Sequence, residues 1–362
     1  MSDTVLLAHG SGGKLSHDLV EGLFLRYFSN PTLLRLEDAA VLPLAGPESD
    51  PESAQSPISN TQYPILDTSP APRLAFTTDS YIITPLFFPG GDIGKLAVCG
   101  TVNDLSMSGG RPLWLSVGFI VEEGLPLDTL ERVVASMAAT AEAAGVQVVA
   151  GDTKVVDRGS ADKLFINTAG VGLVPPGVEI AGDRARPGDV VLINGPVGDH
   201  GVTIMTQREG LGFQTPLRSD CAPLNGLVAD LLAAVPADSV RCLRDPTRGG
   251  LATTLNELAG RSEVGIEIDE GAVPVREAVR GACELLGLDP LYVANEGKVV
   301  AIVAPEAAPA ALAALRAHPL GGEAAIVGRV MAEHPRRVVL RTVLGARRIV
   351  DMLVGEQLPR IC

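Results

Sequence analysis

The order of strand-like and helix-like segments constrains the fold of this chain more than any single motif does. Both halves mix apolar strand-like runs with amphipathic helical segments, but no regular βαβ period repeats. Pro175-Pro176-Gly177 separates the halves, because neither a helix nor a strand continues easily through such a sequence. A length of 362 residues, 46% of them hydrophobic, is enough for about two domains. We therefore predict an α+β fold with domains at 1–175 and 176–343 and a tail at 344–362.

Within the first half, the local pattern makes four more predictions. Leu15–Phe28 has helical spacing, and Asp92 stands where it would cap the start of another helix. Val146–Ala150 is a short apolar run and predicts a buried strand. Residues 45–72 are rich in Pro, Ser, Asp and Asn without periodicity, so they predict a solvated loop inserted into the domain.

Charge and cysteine usage narrow the functional class. The net charge is -14 and no basic stripe is visible, so a nucleic-acid partner is not expected. An acidic protein that binds a polyphosphate needs a divalent cation between the two like charges. The five cysteines are odd in number and never form CxxC, which is typical of a reducing cytosol. Neither a signal peptide nor an apolar run of membrane-spanning length is evident, so we expect a cytoplasmic protein that does not contact a membrane.

Two glycine-rich loops are candidates for binding an anion. The first supplies His9, Gly10, Gly12 and Gly13 directly before a helix, and backbone amides in such a loop can approach an anion closely. It does not match the spacing of a P-loop, and an ordinary amino-terminal turn is the alternative. The second loop precedes another helix, whose amino terminus could also receive an anion. Its candidate residues are Thr247, Arg248, Gly249 and Gly250.

Four aspartates of the first half are candidate metal ligands. Asp38 and Asp79 adjoin apolar runs, Asp104 lies in a helix of small and apolar residues, and Asp152 follows a strand. Lys154 lies two residues after Asp152, so the two side chains can share one face. Such a pair could hold a metal and a phosphate together, or it could be a structural salt bridge. Asp79 could equally be a turn residue at the end of a strand.

The last residues, Leu358-Pro-Arg-Ile-Cys362, predict an extended arm that carries a thiol. Gly355 and Pro359 disfavour a continuing helix, and chain ends are usually poorly ordered unless other contacts hold them. Prenylation would require the cysteine four places from the end, and no cysteine or histidine lies near enough in sequence to share a metal. A frayed end with an incidental cysteine is the alternative.

Several of these motifs together resemble one family. The carboxylate set without a Walker motif resembles the PurM-like ATP-binding superfamily, and within it the chain resembles the HypE family of hydrogenase maturation factors, the carbamoyl dehydratases. The resemblance covers nearly the whole chain, and residues 45–72 are its main departure. The matching stretches are His9-Gly-Ser-Gly-Gly13, Thr78-Asp-Ser80, Pro85–Gly91, Asn103-Asp104, Gly151–Val156, Lys163–Gly170, Thr247-Arg-Gly-Gly250, Ala294-Asn-Glu-Gly297 and the cysteine-containing tail.

The resemblance implies a fold, a reaction and partners. It implies two α+β domains, the first pairing with its copy in a homodimer to form a shared β-barrel, with ATP and Mg²⁺ bound nearby. A carbamoyltransferase, HypF, would place a carbamoyl group on Cys362. This chain would then use ATP to dehydrate that group to a thiocyanate. The cyano group would pass to iron held by the HypC–HypD complex, for the active site of a [NiFe]-hydrogenase.

It also suggests roles for individual residues. Cys362 would carry the group, Lys154 would contact phosphate, Asp104 would bind metal, and Glu296 is the candidate base that removes a proton from nitrogen. Two alternatives remain at this stage. A small-molecule kinase or synthetase of the superfamily would leave Cys362 without a role. A non-catalytic scaffold that only presents the tail would leave the carboxylates and Lys154 unexplained.

Overall fold

The computed structural model describes residues 13–28, 30–43, 72–208, 217–353 and 361. The predicted loop at 45–72 lies outside this part of the chain except for Pro72. The predicted amino-terminal helix is confirmed as a continuous helical segment with a π-helical turn in its middle. Its parts are α1 (Lys14–Leu19), the π turn (Val20–Phe24) and α2 (Leu25–Phe28).

A five-stranded sheet forms the first domain. Its strands lie in the order β1-β2-β7-β5-β6, antiparallel except for the β5–β6 pair. Helix α3 packs on one face of the sheet, and the Asp92 carboxylate caps it by accepting from the amides of Gly94 and Lys95, as predicted. The elements of this domain are β1 (Ala40–Pro43), β2 (Arg73–Tyr81), β3 (Phe87–Phe88), β4 (Gly91–Asp92), α3 (Ile93–Met107), β5 (Arg111–Glu122), α4 (Leu127–Ala144), β6 (Gln147–Val156) and β7 (Leu164–Val174).

Within the described residues, the opposite face of this sheet is uncovered. Strand β6 is an edge strand, and all but its last residue are exposed. The strand predicted at Val146–Ala150 is confirmed as the start of β6, but its predicted burial is wrong for a single chain, because apolar content alone does not show whether anything packs on a strand. Phe76, Trp114 and Ile120 are also exposed on the neighbouring strands.

The second domain is built on a seven-stranded sheet in the order β14-β13-β10-β12-β8-β11-β9, antiparallel except for β10–β13. Strand β14 pairs with β13, so regular structure extends to Val350, beyond the predicted start of the tail at 344. Its elements are β8 (Val190–Ile193), α5 (Asp199–Arg208), α6 (Asn225–Ala234), β9 (Val240–Arg244), α7 (Gly250–Arg261), β10 (Gly265–Asp269), α8 (Glu277–Leu286), β11 (Val300–Val303), α9 (Ala308–Ala317), β12 (Ala325–Met331), β13 (Arg337–Arg341) and β14 (Arg347–Val350).

Buried polar contacts join the two domains. The Asn103 side chain on α3 donates to the carbonyl oxygens of Ala222 and Glu296, and its own oxygen accepts from the Leu224 amide at 2.8 Å. These bonds hold the 294–298 loop of the second domain against the core helix of the first. Gly297 is required there, because a Cβ atom would collide with the backbone carbonyl of Asp220. Within the described residues, no helix combines the length and apolar character needed to span a bilayer.

Candidate active site

A cavity of about 410 Å³ opens between the amino-terminal helix, the first sheet and two loops of the second domain. Its lining includes six carboxyl groups, two arginines and one histidine. Because the carboxyl groups outnumber the cationic side chains, a polyphosphate would be repelled unless a divalent cation accompanied it. The charged residues of the lining are Asp38, Asp79, Asp104, Asp245, Glu257, Glu296, Arg244, Arg248 and His17.

Asp104 brings a carboxyl group from α3 to the middle of strand β2. The Thr77 hydroxyl lies 2.9 Å from Asp104 Oδ2 and 2.9 Å from the carbonyl oxygen of Asp38, so it can donate to either. The pKa of Asp104 is raised well above its usual value, first by burial and then by the neighbouring carboxylates Asp245, Asp79 and Asp38. The carboxylate predicted in a helix of small and apolar residues therefore shares one cavity with two other predicted ligands, Asp38 and Asp79.

The donor set fits magnesium bound jointly by protein and phosphate. Burial also raises the pKa of Asp38 well above its usual value and that of Asp245 to about 6, so a nearby cation would favour the ionised forms. In the described part of the chain, no three His, Cys, Asp or Glu side chains converge into a ready-made metal site. Mg²⁺ commonly keeps several waters and uses one or two carboxylates together with substrate phosphates. Oxygen donors that face one cavity without closing a cage suit that mode of binding.

Arg244 forms the cationic wall of the cavity. Its guanidinium forms an ion pair with Asp38, with Nε 3.0 Å from Oδ1, and donates from Nη2 to Glu257 Oε2 at 2.9 Å. Glu257 on α7 also bonds His17 on α1 at 3.0 Å, and this hydrogen bond raises the pKa of His17. The chain of ion pairs therefore ties the amino-terminal helix, Asp38 and the second domain around the cavity.

Glu296 supplies a buried carboxyl group without a hydrogen-bond partner on one oxygen. The side chain is 3% exposed, and no described residue bonds its Oε1 atom. Burial raises its pKa well above the usual value, and Cys221, Asp245 and Asp220 raise it further. A carboxyl group of this kind is a stronger base than an exposed one, which suits proton removal from a weakly acidic nitrogen.

Asn295 fixes the loop that carries Glu296. Its side chain donates to the carbonyl oxygens of Pro246 and Val293 and accepts from the Gly198 amide at 2.7 Å. One buried amide therefore joins the 294–298 loop to the 244–248 loop, and both loops line the cavity. The two loops hold Glu296, Asp245 and Arg248 in one arrangement.

Asp152 and Lys154 do not line the cavity. They lie on the exposed strand β6, where Lys154 Nζ is 2.8 Å from Asp152 Oδ2, and both side chains are about 70% exposed. The hydrogen bond from Lys154 lowers the pKa of Asp152. Within a single chain the pair therefore forms a surface salt bridge, which was the alternative to a site for metal and phosphate. Their spacing places them on one face as predicted, but that face points away from the other candidates.

The glycines of the two loops have different surroundings from those predicted. Gly13 packs against the backbone of Leu353, and Gly249 and Gly250 are buried behind the cavity lining. A Cβ on Gly250 would lie 2.6 Å from the carbonyl oxygens of Leu291 and Val293, so packing explains this glycine. Thr247 and Arg248 do line the cavity. The predicted residues His9, Gly10, Gly12 and Cys362 lie outside the described residues.

Sequence reasoning missed four charged residues of the cavity. Asp245, Arg244, Glu257 and His17 are separated in sequence by up to 240 positions and meet only in the folded chain. Arg244-Asp245 stands directly before Pro246, and Arg244 is the last residue of strand β9. A charged pair at the end of a strand could have identified Arg244 and Asp245 as candidate site residues from the sequence.

Two family models match the chain. The model "AIR synthase related protein, N-terminal domain" matches residues 37–174, and its C-terminal counterpart matches residues 186–341. Among curated proteins, the chain is 54% identical over 359 residues to the carbamoyl dehydratase HypE of Azotobacter vinelandii, covering 99% of this chain and 97% of that protein. It is 49% identical over 360 residues to HypE of Escherichia coli K12, covering 99% and 100%.

Solved structures show the same similarity. A HypE–HypF complex matches with a TM-score of 0.81 and 45% identity, covering 92% of this chain and 99% of that one. HypE in complex with ATP matches with a TM-score of 0.77 and 53% identity, covering 99% and 100%. The enzyme AaThiL complexed with AMPPCP and TMP matches with a TM-score of 0.65 at 20% identity, which shows a shared fold alone.

Proposed function

Because this chain belongs to the HypE family of carbamoyl dehydratases, we propose that it dehydrates an S-carbamoyl group on Cys362 at the expense of ATP. The product is a thiocyanate, which supplies cyanide ligands for the iron of a [NiFe]-hydrogenase. The observation that carries the assignment is the cavity itself, where partly buried carboxyl groups and two arginines surround the partnerless oxygen of Glu296. A scaffold that only presents its tail has no use for such a cavity.

The proposed reaction has two steps. The amide oxygen of the S-carbamoyl group attacks the γ-phosphorus of ATP, ADP leaves, and a nitrogen proton is released as the C=N bond forms. The phosphorylated oxygen then departs as inorganic phosphate while the second nitrogen proton is removed, which leaves S–C≡N. In the net reaction, the S-carbamoyl group loses one water, and ATP gains it to become ADP and inorganic phosphate. Phosphorylation is needed because an amide oxygen is otherwise a poor leaving group.

Residues of the cavity divide the work between binding and proton transfer. Asp79, Asp104 and Asp38 would hold Mg²⁺, which neutralises phosphate charge and orients the transferred group when bound. Arg248 would contact phosphate from the opposite wall. Glu296 would accept a nitrogen proton on its partnerless oxygen. Positioning and charge neutralisation supply most of the catalysis in phosphoryl transfer.

Replacing Asp104 by asparagine is expected to remove ATP-dependent dehydration while folding survives. The amide keeps the shape and the contact with Thr77, but it removes one of the negative charges that would bind magnesium. We expect Mg-ATP affinity to fall at least about tenfold, as for other disrupted metal sites. Calorimetry measures the binding, and mass spectrometry of the carboxy-terminal peptide follows gain of a carbamoyl group and then loss of one water.

Asp230→Asn is the matched control, because Asp230 is exposed on α6 away from the cavity. It removes the same charge and should bind and dehydrate like the parent. Equal activity of the parent and Asp104→Asn would show that this carboxyl group is not part of the nucleotide site.

We propose that the chain forms a homodimer through the uncovered face of its first sheet, with a barrel shared between the two first domains. The support is the exposed edge strand β6 together with the apolar side chains on that face, where Phe76, Trp114 and Ile120 are 45%, 47% and 43% exposed. Exposed apolar strands of this length are normally covered. Asp152 and Lys154 lie on strand β6, outside the cavity of their own chain. Their proposed roles at the nucleotide therefore depend on contacts that form only in the dimer.

Light scattering at micromolar concentration is expected to give twice the mass of one chain. Ile120→Asp should lower that mass towards one chain, because Ile120 is 43% exposed on the uncovered face and a charge there would be buried in the proposed interface. Leu344→Asp is the control, since Leu344 is 93% exposed in the second domain and distant from β6. A parent protein that is monomeric under these conditions contradicts the dimer.

The partners and the location follow from the proposed reaction. HypF would load the carbamoyl group, and a HypC–HypD complex would accept the cyano group at iron. We place the protein in the cytoplasm, because the four described cysteines are free and buried. A thiol that must be modified also requires a reducing compartment.

A further inference from the structure

Ile361 is anchored in the core although it belongs to the predicted arm. It is 4% exposed and packs in the same apolar cluster as Phe88, Cys221 and Ala294. Its carbonyl oxygen lies 2.7 Å from Nε2 of His200, which is fully buried near the start of α5. The mechanism derived above gives no role to His200.

The hydrogen bonds around His200 define its tautomer. A carbonyl oxygen only accepts, so Nε2 carries a hydrogen and donates it to Ile361. The pKa of His200 is lowered by burial, so the neutral ring dominates, and its Nδ1 accepts from the Ser219 hydroxyl at 2.8 Å. The Cys221 amide in turn donates to Ser219 Oγ at 3.1 Å. The hydrogen bonds therefore run in one direction, from Cys221 through Ser219 and His200 to the tail.

Contacts from both domains hold the ring in place. Phe88 of the first domain meets the imidazole edge to face, with ring centroids 5.7 Å apart. The Ser219 amide donates to the carbonyl oxygen of Pro89 at 2.8 Å. An imidazole constrained on two sides can present its Nε2 hydrogen in only one direction.

The same segments also position Glu296. The amide of Gly201, which follows His200, donates to the carbonyl oxygen of Ala294 at 3.1 Å. Asp220, which follows Ser219, accepts from the Glu296 amide at 3.0 Å and pairs with Lys298 at 2.9 Å. Residues that bind the tail and the residue proposed as the base are therefore neighbours in one hydrogen-bonded network.

We propose that His200, oriented by Ser219, is a positioning residue that docks the peptide group between Ile361 and Cys362 beside the segment carrying Glu296. The carbonyl that His200 binds belongs to this peptide group, so docking keeps the Cα of Cys362 about 3.8 Å from that of Ile361. The catalytic consequence of docking rests on the proposed function, whereas the docking itself does not.

Docking should have opposite effects on the two reactions of Cys362. Ile361 must leave the core for Cys362 to receive a carbamoyl group from another enzyme, but it must be docked for dehydration. Weakening the His200 bond therefore favours loading and disfavours dehydration. A general folding defect would lower both rates, so opposite changes identify a positioning role.

The experiment compares His200→Leu, which removes the donor, with His200→Gln, whose amide can replace the Nε2 donor. Two readouts are used: the rate at which iodoacetamide alkylates Cys362, located by peptide mass spectrometry, and the single-turnover dehydration rate of protein already loaded by HypF. For His200→Leu we expect alkylation to rise about tenfold and dehydration to fall about tenfold, the effect of losing one buried hydrogen bond. His200→Gln should restore much of both rates.

Ser219→Ala provides a second variant in case His200→Leu does not fold. It leaves Nε2 in place but removes the hydroxyl that orients the ring, so it should shift both rates in the same directions by smaller factors. Unchanged alkylation and dehydration in the folded variants would overturn the proposal, as would a parallel fall of both rates. If alkylation responds but no protein dehydrates its carbamoyl group, docking stands and the proposed function fails.

Discussion

Cys362→Ala is expected to bind ATP like the parent and to accept no carbamoyl group. The described residues that line the cavity supply the carboxyl groups and arginines proposed to bind Mg-ATP, and the substitution changes none of them. Carbamoylation requires a nucleophilic sulfur that can enter the active site of a partner enzyme. Mass spectrometry of the intact protein and of its carboxy-terminal peptide measures the outcome, which should be complete loss of the modification.

The other cysteines cannot replace Cys362, for physical reasons. Cys99, Cys221, Cys242 and Cys283 are all at most 2% exposed. Burial raises the pKa of Cys242 to about 12 and that of Cys283 to about 11, so both remain thiols at neutral pH. A buried thiol is neither accessible nor ionised, and it reacts slowly with an electrophile.

Cys283→Ala is the matched control, because it removes one sulfur without changing the tail. It should be loaded and dehydrated like the parent. A carbamoyl group found on any of the four buried cysteines, in the parent or in Cys362→Ala, would contradict the assignment of Cys362 as the acceptor.

Glu296→Gln is expected to retain nucleotide binding and loading but to lose dehydration by roughly 10²- to 10⁴-fold, the usual contribution of a general base. Glutamine preserves the size of the side chain and cannot accept the nitrogen proton. Rapid quenching after addition of Mg-ATP to the loaded protein measures the rate. Asp230→Asn again controls for the loss of one negative charge.

The pH dependence provides an independent check on Glu296. Its pKa is raised well above the usual value by burial, and only the ionised form can act as a base. The dehydration rate of the parent should therefore rise with pH until it passes this raised pKa. The residual activity of Glu296→Gln should lack that rise, and the same rise in the variant would assign the base to another group.

Stability should change in the opposite direction to activity. Since folding raises the pKa of Glu296, the folded protein binds more protons than the unfolded chain between the ordinary and the raised pKa. This contribution to stability is complete below the ordinary pKa and is lost as pH rises through the raised one. Glu296→Gln should thus unfold at the same or a higher temperature than the parent above that range. A lower unfolding temperature would indicate that structural damage contributes to the loss of activity.

Local sequence patterns predicted much of the fold. Asp92 caps α3, as expected for a carboxylate that can accept from the first free amides of a helix. The helical spacing at Leu15–Phe28 likewise matches the observed helical segment from Lys14 to Phe28. These predictions succeeded because capping and periodicity act over a few residues and require no knowledge of distant contacts.

The predicted site was recovered only in part. Asp38, Asp79 and Asp104 share a cavity with Glu296, whereas Asp152 and Lys154 lie outside it. The aspartates were chosen because a charged residue adjoins or interrupts an apolar element, whereas Glu296 was chosen for the base that the reaction requires. The first criterion places a side chain at the end or on the face of an element, but it does not say which other element lies opposite.

By itself, the sequence determined many of the helices and strands, the family motifs and the presence of a thiol in the tail, since each of these depends on a short stretch of chain. Only the tertiary structure decided which groups meet. Arg244 reaches Asp38 and Glu257, and His200 reaches Ile361, across separations of up to 206 positions. The raised pKa of Glu296 likewise depends on burial by residues distant in sequence. Burial and charge proximity are properties of packed surfaces, so no local pattern encodes them.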